Sequence, residues 1–389
     1  MIYRNVLDDK ISLLGFGAMR LPTTECGEVD EERVFKMVDT AIESGINYFD
    51  TAYPYHNGKS EIVIGRALGR YKRESYLLAD KYPGHQIMSD LRPAKIFEEQ
   101  LKKCGVDYFD YYLLHNVNEH SVSVYTDKEL GVLEYFLEQK RQGRIRHLGF
   151  STHAHMKTLR DFLDFAGDHM EFCQIQFNYL DTSLQGAYEK YKLLQDMGIP
   201  VFVMEPLRGG KLARLEGEAA EWVKANSSDR DAVSLAFRWL MAYRGLGVIL
   251  SGMSTEEQLL SNIKIFSEEK PTTEEENELL YRIAEGMKSS VPCTSCGYCT
   301  EGCPMELDIP LFMKIYNELR VVKNVQSAIP IELSQEDKKP SACIGCGKCA
   351  VSCPQKIKIP DILAELSGIV AGMPKWADIC REREKAAKM

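Results

Sequence analysis

Up to about residue 285, short apolar runs alternate with longer segments in which apolar residues return every three or four positions. The short runs predict strands at 14–19, 46–50, 75–79, 108–114, 146–151, 172–177, 200–204 and 247–250. The longer segments predict helices at 31–44, 93–104, 130–141, 184–197 and 231–241. In the first of these, Val34, Met37, Val38, Ala41 and Ile42 fall on one helical face. Eight strands alternating with helices are what a parallel (β/α)8 TIM barrel requires. An open doubly wound sheet is the alternative, disfavoured because no strand leads into a G-x-G-x-x-G turn. Residues 3–11 predict a small plug or hairpin under the barrel, and 255–266 predicts the helix after the eighth strand, capped by Ser254 or Thr255.

The pattern changes after the polar stretch 267–278 and one further helix, which places a domain boundary near 285: a barrel over 1–285 and a second domain over 286–389. The second domain is written in cysteine. Cys293-x2-Cys296-x2-Cys299-x3-Cys303-Pro304 is repeated as Cys343-x2-Cys346-x2-Cys349-x3-Cys353-Pro354, every ligand 50 residues on, and Ile309-Pro310 returns as Ile359-Pro360. Spacing and proline are those of bacterial ferredoxin-type [4Fe–4S] sites, where the fourth cysteine of each run serves the other cluster. One cluster would take Cys293, Cys296, Cys299 and Cys353; the other Cys343, Cys346, Cys349 and Cys303. A zinc ribbon uses two separated pairs instead. A disulfide framework belongs to short secreted chains, and Met1-Ile2-Tyr3-Arg4-Asn5 opens no export signal. The segments 309–319 and 359–366 read as helices, so the domain is expected to be a small, mainly helical ferredoxin-like iron–sulfur module.

Bulk properties narrow the partners. The 389 residues are 44% hydrophobic and 27% charged, ordinary for a globular protein. No apolar run nears the roughly 18–20 residues that cross a bilayer, and a net charge of −9 without a basic block argues against nucleic acid. Cys26, Cys104, Cys173 and Cys380 stand singly and are expected to be buried as small hydrophobes. A reducing, anaerobic cytoplasm suits the whole set.

In such barrels the reacting groups sit at the C-terminal ends of strands. Asp50 ends the second strand, Tyr55 lies in the loop after it, Lys81 follows the third, and His115 ends the fourth. Alone, each would be a solvated rim residue. Together they form an acid site for a carbonyl that becomes an alkoxide. Lys81 beside Tyr55 favours phenolate and should lower its pKa, Asp50 should keep Lys81 charged, and His115 can hydrogen-bond the carbonyl oxygen.

These four residues, with Asp50-Thr51-Ala52, Ser60-Glu61, Gly149-Phe150-Ser151, Gln176-Phe177-Asn178-Tyr179 and Pro206-Leu207-Arg208-Gly209-Gly210, resemble the aldo-keto reductases over residues 1–270. The whole chain resembles the subgroup fused to a 4Fe–4S dicluster domain. The resemblance implies Tyr55 as general acid, Lys81 tuning it, Asp50 holding Lys81 and His115 orienting the substrate. It also implies NAD(P)H extended across the barrel mouth: Ser151 and Gln174 on the nicotinamide carboxamide, Leu207 and its glycines under the pyrophosphate, and Gly252, Ser254, Gln258 and Asn262 at the adenosine end. Met204 stands where many members stack a ring on the nicotinamide, which leaves room for a flavin, although no flavin motif is recognisable. Gly252 and Gln258 stand where NADPH-preferring members place cations, so NADH is expected to serve at least as well as NADPH.

Three functions follow from this reading. The first is an NAD(P)H-dependent carbonyl–alcohol oxidoreductase of cytoplasmic setting whose two clusters transfer electrons. The second is a reductase fed through the clusters by an external ferredoxin, directly or by way of a flavin. The third is a redox sensor or electron-transfer protein with a nucleotide-binding barrel. His147, His153 and His155 are expected to be structural or pocket-lining, and Glu274-Glu275-Glu276 and the tail 381–388 to be solvated helix faces.

Overall fold

A two-stranded antiparallel hairpin, β1 (Tyr3–Val6) with β2 (Asp9–Ser12), precedes eight parallel strands that close into a barrel. These are β3 (Leu14–Gly17), β4 (Tyr48–Asp50), β5 (Leu77–Tyr82), β6 (Phe109–Val117), β7 (Ile145–Thr152), β8 (Cys173–Gln176), β9 (Val201–Met204) and β10 (Leu246–Ser251). Each pairs with its neighbours in sequence, and β10 closes on β3 through Ile249 with Leu14, Leu250 with Gly15 and Ser251 with Phe16. The computed structural model describes residues 1–85, 90–118, 121–154, 156–184, 186–227, 231–287, 291, 293, 297–321, 328, 330–332, 334–353, 355, 357–375 and 378. They fall into two compact bodies, Met1–Tyr281 and Arg282–Met389. Cys296, Pro354, Cys380, His155 and the tail 381–388 lie outside the described residues.

All eight strands form where the apolar runs place them, but β5 and β6 continue past the predicted ends. Lys81 and His115 therefore belong to strands, where polar side chains interrupt the apolar pattern while the parallel ladder runs on through Lys81 and Leu113. The barrel interior is aromatic. Tyr48 meets Phe202 edge-on at 5.4 Å, Tyr111 meets Phe172 at 5.1 Å, and Phe172 lies 4.8 Å from Phe202. All four rings are fully buried, each stabilising by about 2–3 kcal/mol. Room for them comes from Gly149, where a Cβ would stand 2.4 Å from the Phe172 carbonyl oxygen.

The hairpin plugs the end of the barrel away from the reacting groups. Val6 and Ile11 join the interior cluster with Tyr48, Tyr111, Phe202 and Val248. Asp9, at the head of β2, accepts hydrogen bonds at 2.9 Å from the Tyr111 hydroxyl and from Arg146.

Helix ends follow their local chemistry. Asp30 caps Glu31–Glu43 by accepting from the Arg33 N–H at 3.1 Å, and Thr255 does the same for Glu256–Ile265 through Gln258 at 3.3 Å. The predicted helix 184–197 forms as Ala187–Asp196, starting after Gly186 with φ +59°, and a separate helical turn, Asp181–Leu184, precedes it. Helix Lys59–Leu68 buries Ser60, Glu61 and Gly65 alongside its apolar residues. One charged stretch also departs from expectation. Glu276 is buried at 3% exposure and pairs with buried Arg238, so only Glu274 and Glu275 face solvent.

The second body is helical among its described residues and repeats itself. Short helices Tyr298–Glu301 and Lys348–Ser352 each follow the glycine between two cysteines, and Ile309–Val321 and Ile359–Ala371 follow each Cys-Pro. Ile-Pro opens both longer helices, where the missing proline N–H costs nothing. Leu307, Ile309, Phe312, Met313, Ile357, Ile359, Leu363 and Leu366 form its core. Among the described residues no helix is long and apolar enough to cross a membrane.

Candidate active site

The C-terminal ends of β4, β5 and β6 bring the four predicted residues together. Lys81 Nζ donates to Asp50 Oδ1 at 2.6 Å and to the Thr51 carbonyl oxygen at 2.6 Å, and lies 5.1 Å from the centre of the Tyr55 ring. Tyr55 stands in the turn Tyr55–Gly58, its ring 6.0 Å from that of His115 and nearly perpendicular to it. The β6–β7 register shifts between Leu114 and Val117, and Asn116 has φ +55°. This irregularity at His115 turns its side chain to the mouth, as bulges beside active sites do.

Burial acts on all three titrating groups and sets the direction for two of them. For Lys81 it works against the charge, but Asp50 and Tyr55 outweigh it and hold the ammonium above its ordinary value. For Tyr55 burial raises the phenol above its ordinary value, and the charge and hydrogen bond of Lys81 only partly oppose this. The expected lowering is therefore reversed, because desolvating a phenolate costs more than one ammonium returns. His115 is held well below its ordinary value, first by burial, then by Lys81, His85 and His153. The result is a protonated phenol and a neutral imidazole converging on one point. His115 Nδ1 is buried with no hydrogen-bond partner among the described residues. A carbonyl oxygen placed there could be polarised and protonated.

Several supporting residues escaped the sequence. Asp80, on the outer face of β5, accepts the Lys81 N–H at 2.8 Å, and Gln100 donates both to the Lys81 carbonyl at 3.1 Å and to Glu61 at 3.0 Å. All three are fully buried, and Lys103 neutralises Glu61 at 3.0 Å. The Ser60-Glu61 pair was a visible signal; nothing local marks Gln100. His85 packs its ring against His115 at 4.3 Å. Of the three histidines near β7, His153 is exposed beside the mouth, while His147 is buried far below between Asp9 and Glu171.

The neighbouring strand ends offer a nucleotide site. Ser151 and Gln174 are register partners on β7 and β8, both buried. Ser151 Oγ accepts the Asn116 N–H at 2.8 Å, and Gln174 Oε1 is buried without a partner among the described residues. A hydroxyl beside an unsatisfied amide acceptor is the set a carboxamide can complete. Met204 ends β9 half-buried, and Leu207 leads into Arg208, Gly209 and Gly210, all with positive φ. Arg20 joins this loop to the one after β10: a Cβ on Gly209 would stand 3.2 Å from its Nη2, and one on Gly252 3.2 Å from its stem. The sequence offered no such cation. Ser254 donates through Oγ to the Arg20 carbonyl and through its N–H to Gln258, both at 2.8 Å, and Asn262 donates to Ser251 Oγ at 3.0 Å. These three hold the loop after β10 in shape.

In the second body two cavities gather the cysteines crosswise. One is lined by Cys343, Cys346, Cys349 and Cys303, the other by Cys293, Cys299 and Cys353. Apolar walls, Leu307, Ile309 and Leu363 in the first and Met313, Ile357 and Ile359 in the second, surround the sulfurs. Thiols set around an apolar-walled cavity suit a cluster. Among the described residues no group of His, Cys, Asp or Glu is arranged to hold a single metal ion. Among the remaining cysteines, Cys104 and Cys173 are buried as expected, whereas Cys26 is exposed in the loop before the first helix.

A closed barrel with a buried Lys–Asp pair, a phenol and an imidazole at one mouth, carried with a cysteine-lined helical module, defines an oxidoreductase with an iron–sulfur domain. Residues 13–285 match the model of the aldo/keto reductase family and residues 292–357 that of a 4Fe–4S dicluster domain, and the chain belongs to the aldo-keto reductase family. It is 25% identical over 302 residues to the NADH-specific methylglyoxal reductase of Escherichia coli, covering 66% of this chain and 90% of that protein. It is 25% identical over 280 residues to L-galactose dehydrogenase of Arabidopsis thaliana, covering 67% and 85%. Among solved structures, the holo form of aldo-keto reductase AKR11C1 from Bacillus halodurans superimposes with a TM-score of 0.60 at 26% identity, covering 73% of this chain and 96% of that one.

Proposed function

We propose that the chain interconverts a small carbonyl compound and its alcohol with NAD(P)H, and that its second domain carries two 4Fe–4S clusters that exchange electrons with a redox partner in the cytoplasm. The observation that carries this reading is the convergence of protonated Tyr55 and neutral His115 beside the Lys81–Asp50 pair. A reduced nicotinamide, held by Ser151 and Gln174 with Arg20 and the Gly209-Gly210 turn toward its phosphates, would supply hydride. Tyr55 gives its proton to the oxygen that becomes an alkoxide, and Lys81 steadies the phenolate left behind. His115 directs that oxygen through its neutral ring.

NADH is proposed to serve at least as well as NADPH, supported by Gly252 and Gln258 where a 2′-phosphate would want cations, and by a relative named for NADH. The test is NADH oxidation with methylglyoxal by anaerobically purified protein, alongside the visible spectrum. Turnover lost in Tyr55→Phe supports the reading. Bleaching of the iron–sulfur absorption by NADH without any carbonyl turnover would replace it with electron relay.

A further inference from the structure

Tyr55 sits on a turn that the backbone does not adopt freely. Directly after it, His56 has φ 49°, Asn57 φ 55° and Gly58 φ 82°, three left-handed residues in succession. Glycine takes that region at no steric cost, whereas a side chain with a Cβ is strained there. The turn is held from outside. His56 Nε2 accepts the Leu21 N–H at 3.1 Å. Ser60, just beyond the turn, donates through Oγ to the Ala18 carbonyl at 3.1 Å and lies 2.9 Å from Thr51 Oγ1. Ala18 opens and Leu21 follows the short helical turn Ala18–Arg20 after β3. Arg20, between the two attachment points, reaches the glycines of the loops after β9 and β10 and gives its carbonyl to Ser254.

We infer that His56 is a positioning residue for the reduction: it binds the Tyr55 turn to the segment that carries Arg20, so that a nucleotide seated on that segment also fixes the proton donor. The inference rests on the carbonyl-reductase reading and adds a residue to its machinery.

The choice of residue carries the argument. A glycine at 56 would meet φ 49° without strain, but it offers no acceptor to Leu21. The bond requires a bare Nε2, so the ring is neutral with its proton on Nδ1. Lys81 belongs to the same unit. Its Nζ donates to the Thr51 carbonyl at 2.6 Å, and the Thr51 hydroxyl meets Ser60. The phenol and the ammonium beside it are thus both referred to segment 18–21. That segment joins a nucleotide's phosphates, through Arg20, to the reacting groups, through His56 and Ser60.

The test uses the full chain and compares His56→Gly with the wild type. Glycine relieves the backbone and removes the acceptor, so stability and function separate. The urea midpoint should hold or rise, while kcat for methylglyoxal falls about tenfold or more and its KM stays within about threefold. His56→Gln, whose amide oxygen reaches about as far as Nε2, should recover most of the loss. Hydrogen exchange reads the coupling without turnover. NADH should slow exchange of the backbone amides of residues 52–60 in the wild type, and should bind His56→Gly without slowing them. An unchanged kcat in His56→Gly, or equal protection in both proteins, overturns the inference. So does a fallen urea midpoint that tracks the loss of kcat and is not recovered by His56→Gln. Protection by NADH in the wild type alone, without turnover of methylglyoxal, overturns the reductase reading and leaves the coupling standing.

Discussion

Lys81 Nζ and Asp50 Oδ1 are 2.6 Å apart at the mouth of the barrel, with neither side chain more than 4% exposed. Such a pair is retained for what it positions, since two buried charges recover little net stability from each other. Here it presents an ammonium to the Tyr55 ring. Removing one partner leaves the other charge buried alone. Asp50→Ala is therefore expected to cost about 3–5 kcal/mol in urea unfolding. Lys81→Met should lower kcat for carbonyl reduction by roughly 10²–10⁴-fold.

Tyr55 titrates above its ordinary value because burial outweighs Lys81. The phenol is the proton donor, so reduction should keep its rate until pH exceeds the ordinary phenol value of about 10. A kcat/KM profile for methylglyoxal that bends near pH 7–8 and loses that limb in Tyr55→Phe would contradict this assignment.

His147 joins the plug to the barrel floor. Burial disfavours its charge, but Asp9 at 3.4 Å and Glu171 at 3.2 Å raise it to about 9, while Asp9 is itself lowered to about 2. A raised histidine contributes stability that is full below its unfolded pKa of about 6.5 and is lost as pH climbs toward 9. A lowered aspartate contributes stability above about 3.9 that is lost as pH falls toward 2. Stability should therefore be greatest between about pH 4 and 6.5, and His147 should withdraw about 1–2 kcal/mol by pH 9.5 once solvent screening is allowed for. Thermal unfolding across pH should show this decline in the wild type and a much flatter curve in His147→Gln.

Arg238 binds Glu276 through two hydrogen bonds of 2.9 and 2.7 Å, and also takes the carbonyls of Lys270 and Pro271 at 2.8 and 3.3 Å. It ties helix Ala232–Met241 to the polar segment that leaves the barrel. Glu276→Ala should cost about 3–5 kcal/mol by stranding a buried guanidinium. Arg238→Met with Glu276→Leu should be much milder, and a urea midpoint series decides between them.

The crosswise cavities predict a specific pattern of iron loss. Cys303→Ser and Cys346→Ser should disable the same cluster, so the double variant should retain about as much iron as either single one. Cys303→Ser combined with Cys353→Ser should disturb both. Iron content and the reduced electron paramagnetic spectrum report the outcome. Ligation within each run instead of across them would make the Cys303 and Cys346 losses add.

Periodicity along the chain sufficed for the eight strands, their order and the second domain, because each of those signals is written within a few residues. The cysteine spacing and the four residues at strand ends were legible for the same reason. What escaped depends on residues distant in sequence. Glu276 reads as one of three solvated acids until Arg238 is folded against it, and Gln100 reads as a helix surface until it reaches Glu61 and the Lys81 carbonyl. The ring of His85 against His115, and Arg20 bridging the glycines of two loops, are products of barrel closure. The direction of the Tyr55 pKa belongs with them. Residue type supplied a phenol and an ammonium, but how much water each loses is decided only when the tertiary structure closes around them.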